Sequence, residues 1–185
     1  MAVLDFLDAH KIRPIVLHCY HGTNHADQAA EFVQLQCKER GLQFRQAEIG
    51  NWREKYAVES WEEYWRNFRL DAFAKESGGL PVLTAHNLDD VCETWIWSSL
   101  HGKSKLLPYS IGNVIRPFRA TPKSELLTWC ERKKVLYLND PSNSDLKFVR
   151  NRIRHNLMPE ALVVNPGLRT VLLKKVLSDA QENPP

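Results

Sequence analysis

Nowhere in the 185 residues does an apolar run approach the ~18 residues needed to cross a bilayer. The N-terminus has no basic stretch followed by an apolar one, so neither export nor membrane spanning is indicated, and the reading places the protein in the cytoplasm. Cysteine is sparse: Cys19, Cys37, Cys92 and Cys130 stand far apart and form no Cys-x-x-Cys pair. That argues against a zinc or iron–sulfur site and fits reduced thiols. Net charge is only +3, so the chain as a whole is not a polycation. Glycine is missing where phosphate chemistry would use it. No glycine-rich turn precedes a helix, and Gly78-Gly79 comes before a strand. Internal repeats and low-complexity tracts are absent.

What is present is ordinary for a globular α/β domain, with 43% hydrophobic and 25% charged residues. Ala2 to His10 reads as a helix, Pro14 breaks it, and Ile15 to Tyr20 is a buried strand. Asn24 to Arg40 is a helix closed by Gly41, and Gln43 to Ile49 alternates as a strand. This strand–helix–strand spacing implies a parallel sheet. A helix from about Ser60 to Glu76 follows a segment rich in aromatics (Trp52, Tyr56, Trp61, Tyr64, Trp65). Those rings could stack on RNA bases or pack against the sheet. Thr121 is expected to cap a helix with Pro122 at its first position, and Pro166 to Ala180 reads as a last amphipathic helix.

The run Pro81-Val-Leu-Thr-Ala-His-Asn-Leu-Asp-Asp-Val-Cys-Glu-Thr94 carries the most information. It reads as a short strand, a turn with a histidine, and a helix with Asp89, Asp90 and Glu93 in its first two turns. Leu88, Val91, Cys92, Trp95 and Ile96 form the apolar face. Two readings fit. Asn87 and Asp90 make a capping box, or the acids hold a cationic ligand at a strand end. Downstream, Lys147, Arg150, Arg152 and Arg154 occur with no acid between Lys147 and His155. A helix from about Leu146 to Met158 would put Lys147, Arg150 and Arg154 on one face and Val149, Ile153 and Leu157 on the other. The basic face is either solvated or a phosphate-binding surface.

Several blocks in order resemble those of the tRNA(Ile)-lysidine synthetases of the ATP-pyrophosphatase (PP-loop) superfamily. They are Trp65-Arg-Asn-Phe-Arg69, Thr84 to Thr94, Val114-Ile-Arg-Pro-Phe118, Asp140-Pro-Ser-Asn143, Arg150-Asn-Arg-Ile-Arg154 and Asn165-Pro166. Asn87 stands where the family signature Ala-His-His-x-x-Asp-x-x-Glu-Thr has its second histidine. The superfamily's Ser-Gly-Gly-x-Asp-Ser loop does not occur, and Met1-Ala-Val-Leu-Asp-Phe-Leu7 resembles the helix that follows it. The resemblance implies a Rossmann-like parallel sheet of the ATP-pyrophosphatase type, lacking its first strand, over residues 1–145. Basic and amphipathic helices would form a small C-terminal segment over 146–181, and 182–185 a disordered tail.

By the same resemblance, ATP and Mg²⁺ are the cofactors, and tRNA(Ile) and free lysine the partners. ATP adenylates the wobble cytidine, and the lysine side-chain amine then displaces AMP. A separate peptide or subunit, or an upstream extension, would supply the phosphate loop. Asp90 and Glu93 are the expected catalytic acids, which hold and deprotonate the ammonium. No metal ligand is expected from the protein beyond Asp90. His86, Asp89, Arg66, Arg69, Arg116, Arg150, Asn151 and Arg154 are the expected substrate and nucleotide contacts. Asp140 and Asn143 are read as loop-shaping, and His18 and His21 as a weaker match to the family's His-x-x-His. Two alternatives remain: a degenerate, non-catalytic tRNA- or partner-binding module, and a tRNA-thiolating enzyme of the same superfamily.

Overall fold

Among the described residues, those from Val3 to Leu80 pack as one unit and those from Pro81 onward as another. The computed structural model describes residues 1–22, 25–49 and 61–182. Asn24, Trp52, Tyr56 and the last three residues therefore lie outside the described residues.

The first unit contains α1 (Ala2–Ala9), β1 (Val16–Tyr20), α2 (Ala26–Glu39), β2 (Phe44–Glu48) and α3 (Trp61–Glu76). β1 and β2 are parallel, with Val16 opposite Phe44 and Tyr20 opposite Glu48. Gly41 sits at φ 61°, the left-handed position that lets α2 stop and turn into β2. Leu7, Cys37, Leu42, Tyr64, Phe68 and Ala72 are buried. The His21 ring lies 5.9 Å from Trp65 and 5.6 Å from Phe68. Of the two uses considered for the aromatics, Tyr64 and Trp65 take packing.

The second unit opens with β3 (Val82–Leu83) and α4 (Leu88–Leu100), then β4 (Ser110–Ile111), β5 (Val114–Ile115) and α5 (Lys123–Lys133). A 3₁₀ turn (Pro141–Ser144) leads to α6 (Val149–Arg152), a π-helical turn (Ile153–Leu157), α7 (Met158–Val164) and α8 (Leu168–Glu182). β5 lies between β3, which it parallels, and β4, which it opposes. The core joins Leu88, Val91, Cys92 and Ile96 of α4 to Ile153, Met158 and, from α8, Leu168, Leu172 and Val176. The helices beyond residue 145 thus share a core with α4, and the break in packing falls at Leu80.

Two local expectations need correction. Pro122, not Thr121, is the N-cap of α5. The basic helix also does not keep an α-helical apolar stripe. Ile153 is 3% exposed, but Val149 and Leu157 are 49% and 42% exposed, and Met158 is buried at 5%. The cause is the π turn, in which the Met158 N–H bonds to Ile153 O, five residues back. Pro159, at the start of α7, has no N–H to give to residue 155, and its ring would crowd that carbonyl. Widening the helix by one residue relieves both problems.

Candidate functional site

β3 runs into the turn that holds Thr84 and His86, and α4 starts there. Asn87 Oδ1 accepts from the backbone N–H groups of Asp89 and Asp90, at 2.9 and 3.3 Å. Asp90 Oδ2 accepts from the Asn87 N–H at 2.7 Å. The capping box is therefore real, and it fixes the Asp90 side chain at the start of α4. Asp89 leaves α4 toward α5, where its Oδ2 accepts from the Lys123 N–H at 2.9 Å. That N–H is one of the donors a helix start leaves without an internal partner, and Pro122 makes no side-chain cap.

The acids meet three arginines. Arg150 Nη2 reaches Asp90 Oδ1 at 2.5 Å and Arg150 Nε reaches Glu93 Oε2 at 2.8 Å. Arg154 Nε binds Glu93 Oε1 at 2.8 Å, and its Nη2 binds Oε2 at 3.2 Å. Arg169 of α8 holds Asp89 Oδ1 through Nη2 at 2.8 Å and Nε at 3.1 Å. Glu93 is only 4% exposed, so its charge is tolerable only because two guanidiniums meet it. Desolvation pulls the Arg150 pKa down, but the Asp90 and Glu93 carboxylates outweigh it and the net shift is upward. The Arg150 and Arg154 side chains are still 45% and 25% exposed, so both can reach solvent.

Beside this network lies a cleft of about 120 Å³ lined by Asn87, Asp89, Asp90, Glu93, Lys123, Arg154, Met158 and Arg169. Of the residues expected from the sequence, Asp89, Asp90, Glu93, Arg150 and Arg154 come together here. Asn151 is buried beside them and donates to the carbonyls of Ser142 and Asp145, at 2.7 and 2.9 Å, which fixes the 140–145 loop. Asp140 accepts from the Ser142 N–H at 2.8 Å, and Asn143 Oδ1 touches Arg154 Nη1 at 3.4 Å. His86 Nδ1 shares a hydrogen bond with Thr84 Oγ1 at 2.9 Å. Arg116 is buried and donates to Pro108 O at 3.2 Å. Arg66 and Arg69 lie on α3 in the first unit, which also holds His18 in β1 and His21 just after it.

Sequence reasoning missed Lys123 and Arg169. It also missed Arg119, whose buried guanidinium binds Asp179 of α8 at 2.7 Å and Leu107 O at 3.0 Å. The four cysteines are free. Burial, and then the Asp89 charge, push the Cys92 thiol from 9.0 up to about 12. Burial also raises Cys19, against the pull of Arg69, and raises Cys37. Among the described residues no three His, Cys, Asp or Glu cluster as metal ligands. Among the described residues no helix is long and apolar enough to cross a membrane.

A family model described as a PP-loop domain matches residues 1–161. The tRNA(Ile)-lysidine synthase of Lactiplantibacillus plantarum is 32% identical over 173 residues, which is 86% of this chain and 38% of that protein. That of Enterococcus faecalis is 26% identical over 182 residues, 90% of this chain and 39% of that one. The chain thus spans about two fifths of the length of the curated relatives it matches. Among solved structures, the U34-tRNA thiolase NcsA from Methanococcus maripaludis with its 4Fe-4S cluster has a TM-score of 0.72 at 15% identity. The match covers 96% of this chain and 66% of that one, and at such identity it is a likeness of fold.

Proposed function

The chain belongs to the PP-loop domain family, and on that premise we propose that it is the lysine-handling part of a cytoplasmic tRNA(Ile)-lysidine synthase, an ATP-dependent ligase acting on tRNA(Ile). The observation that supports this most is the meeting of Asp90 and Glu93 with Arg150 and Arg154 beside a cleft. The pairs can exchange partners. The two solvent-reaching guanidiniums turn to phosphate oxygens, and an incoming ammonium takes their place on the carboxylates. Asp90 then accepts a proton from that ammonium, leaving a neutral amine free to attack.

ATP, when bound, would supply the adenylyl group that activates the cytidine, with pyrophosphate as the leaving group. Arg150 and Arg154 are suited to its phosphates; His86, Asn151, Arg66, Arg69 and Arg116 stay assigned to the nucleotide or tRNA by resemblance. The donor set does not fit a magnesium ion. Asp90 has Oδ2 on the cap and, once Arg150 leaves, a single Oδ1 that the ammonium takes, so we assign any Mg²⁺ to the nucleotide and route no step through it. The Ser-Gly-Gly-x-Asp-Ser loop is not among these residues. The reading takes it from an upstream extension or a separate chain.

Thiolation is less well supported, because the four cysteines form no Cys-x-x-Cys pair, and burial raises the Cys92 thiol to about 12, far from a nucleophilic thiolate at neutral pH. One observation favours a non-catalytic module. Glu93 and Asp90 are already neutralised by arginines, so keeping them does not demand a ligand. The deciding assay supplies tRNA(Ile), ATP, Mg²⁺ and labelled lysine to a form carrying the phosphate loop ahead of Met1. Incorporation of lysine into the tRNA is expected. tRNA binding without incorporation would replace the reading with the module.

A further inference from the structure

We propose that Lys123 decides which amines the cleft accepts, by taking the carboxylate of the amino-acid substrate. The inference rests on the lysine reading above. Every carboxylate at the site is matched by a guanidinium: Asp89 by Arg169, Asp90 by Arg150, and Glu93 by Arg150 and Arg154. Lys123 lines the same cleft, and its ammonium makes no ion pair or hydrogen bond among the described residues. The site as a whole therefore carries one uncompensated positive charge, at a known place.

The backbone that carries it is well fixed. Lys123 is the first residue of α5, and its backbone N–H is anchored on Asp89 Oδ2 at 2.9 Å. The partial positive charge of a helix start adds to the ammonium, so an anion is favoured there over a second cation. An arginine of the network must first leave a carboxylate before it can bind an anion. Lys123, among the described residues, has no partner to leave.

The ligand's chemistry follows from the two ends of the cleft. Asp90 and Glu93 lie on the α4 side and suit an ammonium. Lys123, on the α5 side, suits a carboxylate. An amino acid with a terminal side-chain amine matches both ends in charge, whereas a plain diamine of the same length leaves Lys123 unused. Free lysine and cadaverine differ by that carboxylate.

The test is calorimetric titration of the 185-residue chain with lysine and with cadaverine, in the presence of inorganic pyrophosphate to draw Arg150 and Arg154 off the acids. The parent is expected to bind lysine tighter by about tenfold, the scale of one charge-assisted hydrogen bond. In Lys123→Gln the preference should collapse toward one, and Lys123→Arg should restore it. Lys123 is exposed, so an unchanged unfolding midpoint in Lys123→Gln will show that the fold is kept. Equal binding of both ligands by the parent overturns the inference and leaves the lysine reading standing. So does a preference that survives Lys123→Gln, or a variant whose only loss is ATP affinity. Binding of neither ligand by the parent overturns the lysine reading and the inference together.

Discussion

Ile153 and Met158 are five residues apart in one continuous run of helical turns, yet both are buried in the core that α4 and α8 share. Five-residue spacing is what a π turn produces, and the Met158 N–H bond to Ile153 O closes it. The same turn carries Arg154, and Arg150 lies one turn before it. The irregularity that re-aims the apolar stripe thus sits between the core and the ion pairs on Glu93.

Alanine substitutions will read this register directly. Met158→Ala should destabilise the protein by about 2–5 kcal/mol, as expected for a large side chain removed from a packed core. Leu157→Ala, at a largely exposed site, should cost less than about 1 kcal/mol. Urea unfolding of both variants measures the difference. The reverse order of sensitivity would mean that the helix is an uninterrupted α-helix in solution.

The α4 start was legible because its signals are local. Asn87, Asp90 and the stripe of Leu88, Val91, Cys92 and Ile96 lie within ten residues and agree with one another. The π turn was not read, although Pro159 stood in the sequence as its cause. Counting at 3.6 residues per turn grouped Val149, Ile153 and Leu157, and only Ile153 is buried. Arg169 and Asp89 are 80 residues apart, and Arg119 and Asp179 are 60 apart. An arginine on a predicted amphipathic helix carries no local mark of which acid it will meet. Lys123 was invisible for a related reason: its significance depends on every neighbouring charge being paired, which is a property of the folded site.

Asp90→Asn separates structure from chemistry. Asparagine keeps an oxygen to accept the Asn87 N–H, so the cap survives, while the ion pair to half-exposed Arg150 is lost. The Asp90 side chain is only 14% exposed and the new amide nitrogen faces the Arg150 donor, so a stability loss of about 1–3 kcal/mol is expected. In the lysine-transfer assay, incorporation should disappear, and release of pyrophosphate from the adenylation half-reaction should be less affected. Parent-like incorporation would remove Asp90 from the proposed mechanism.

Cys92 gives a pH prediction with a definite sign. Its folded-state pKa is raised, because burial and then the Asp89 charge disfavour the thiolate. The folded protein therefore holds this proton more tightly than the unfolded chain does. The stabilisation is complete below pH 9.0 and is lost as pH rises toward about 12. Unfolding free energy should fall with pH across that window, by up to ~1.4 kcal/mol per unit from this one group. Cys92→Ala should remove that part of the slope, although it lowers stability at neutral pH. Identical slopes in parent and variant would mean that the thiol titrates alike in both states.

The last prediction concerns β1, which pairs with β2 alone among the described residues. In the parallel register, Val16 N–H bonds to Gln43 O at 2.8 Å, and Ile49 N–H bonds to Tyr20 O at 3.2 Å. The alternation of a parallel ladder then turns the amides of Val16, His18 and Tyr20 toward β2, and those of Leu17 and Cys19 toward the opposite edge. No strand of the described residues pairs with that edge. An apolar strand with one open edge is a template for another strand, either the one the PP-loop resemblance places before its phosphate loop or a neighbouring molecule's. Native-state hydrogen exchange should find Val16, His18 and Tyr20 protected, and Leu17 and Cys19 exchanging much faster in a dilute monomer. Adding a peptide that contains the strand and the Ser-Gly-Gly-x-Asp-Ser loop should slow Leu17 and Cys19 selectively. If all five amides are equally slow in the monomer without the peptide, the edge is already covered and the chain has no need of a strand there.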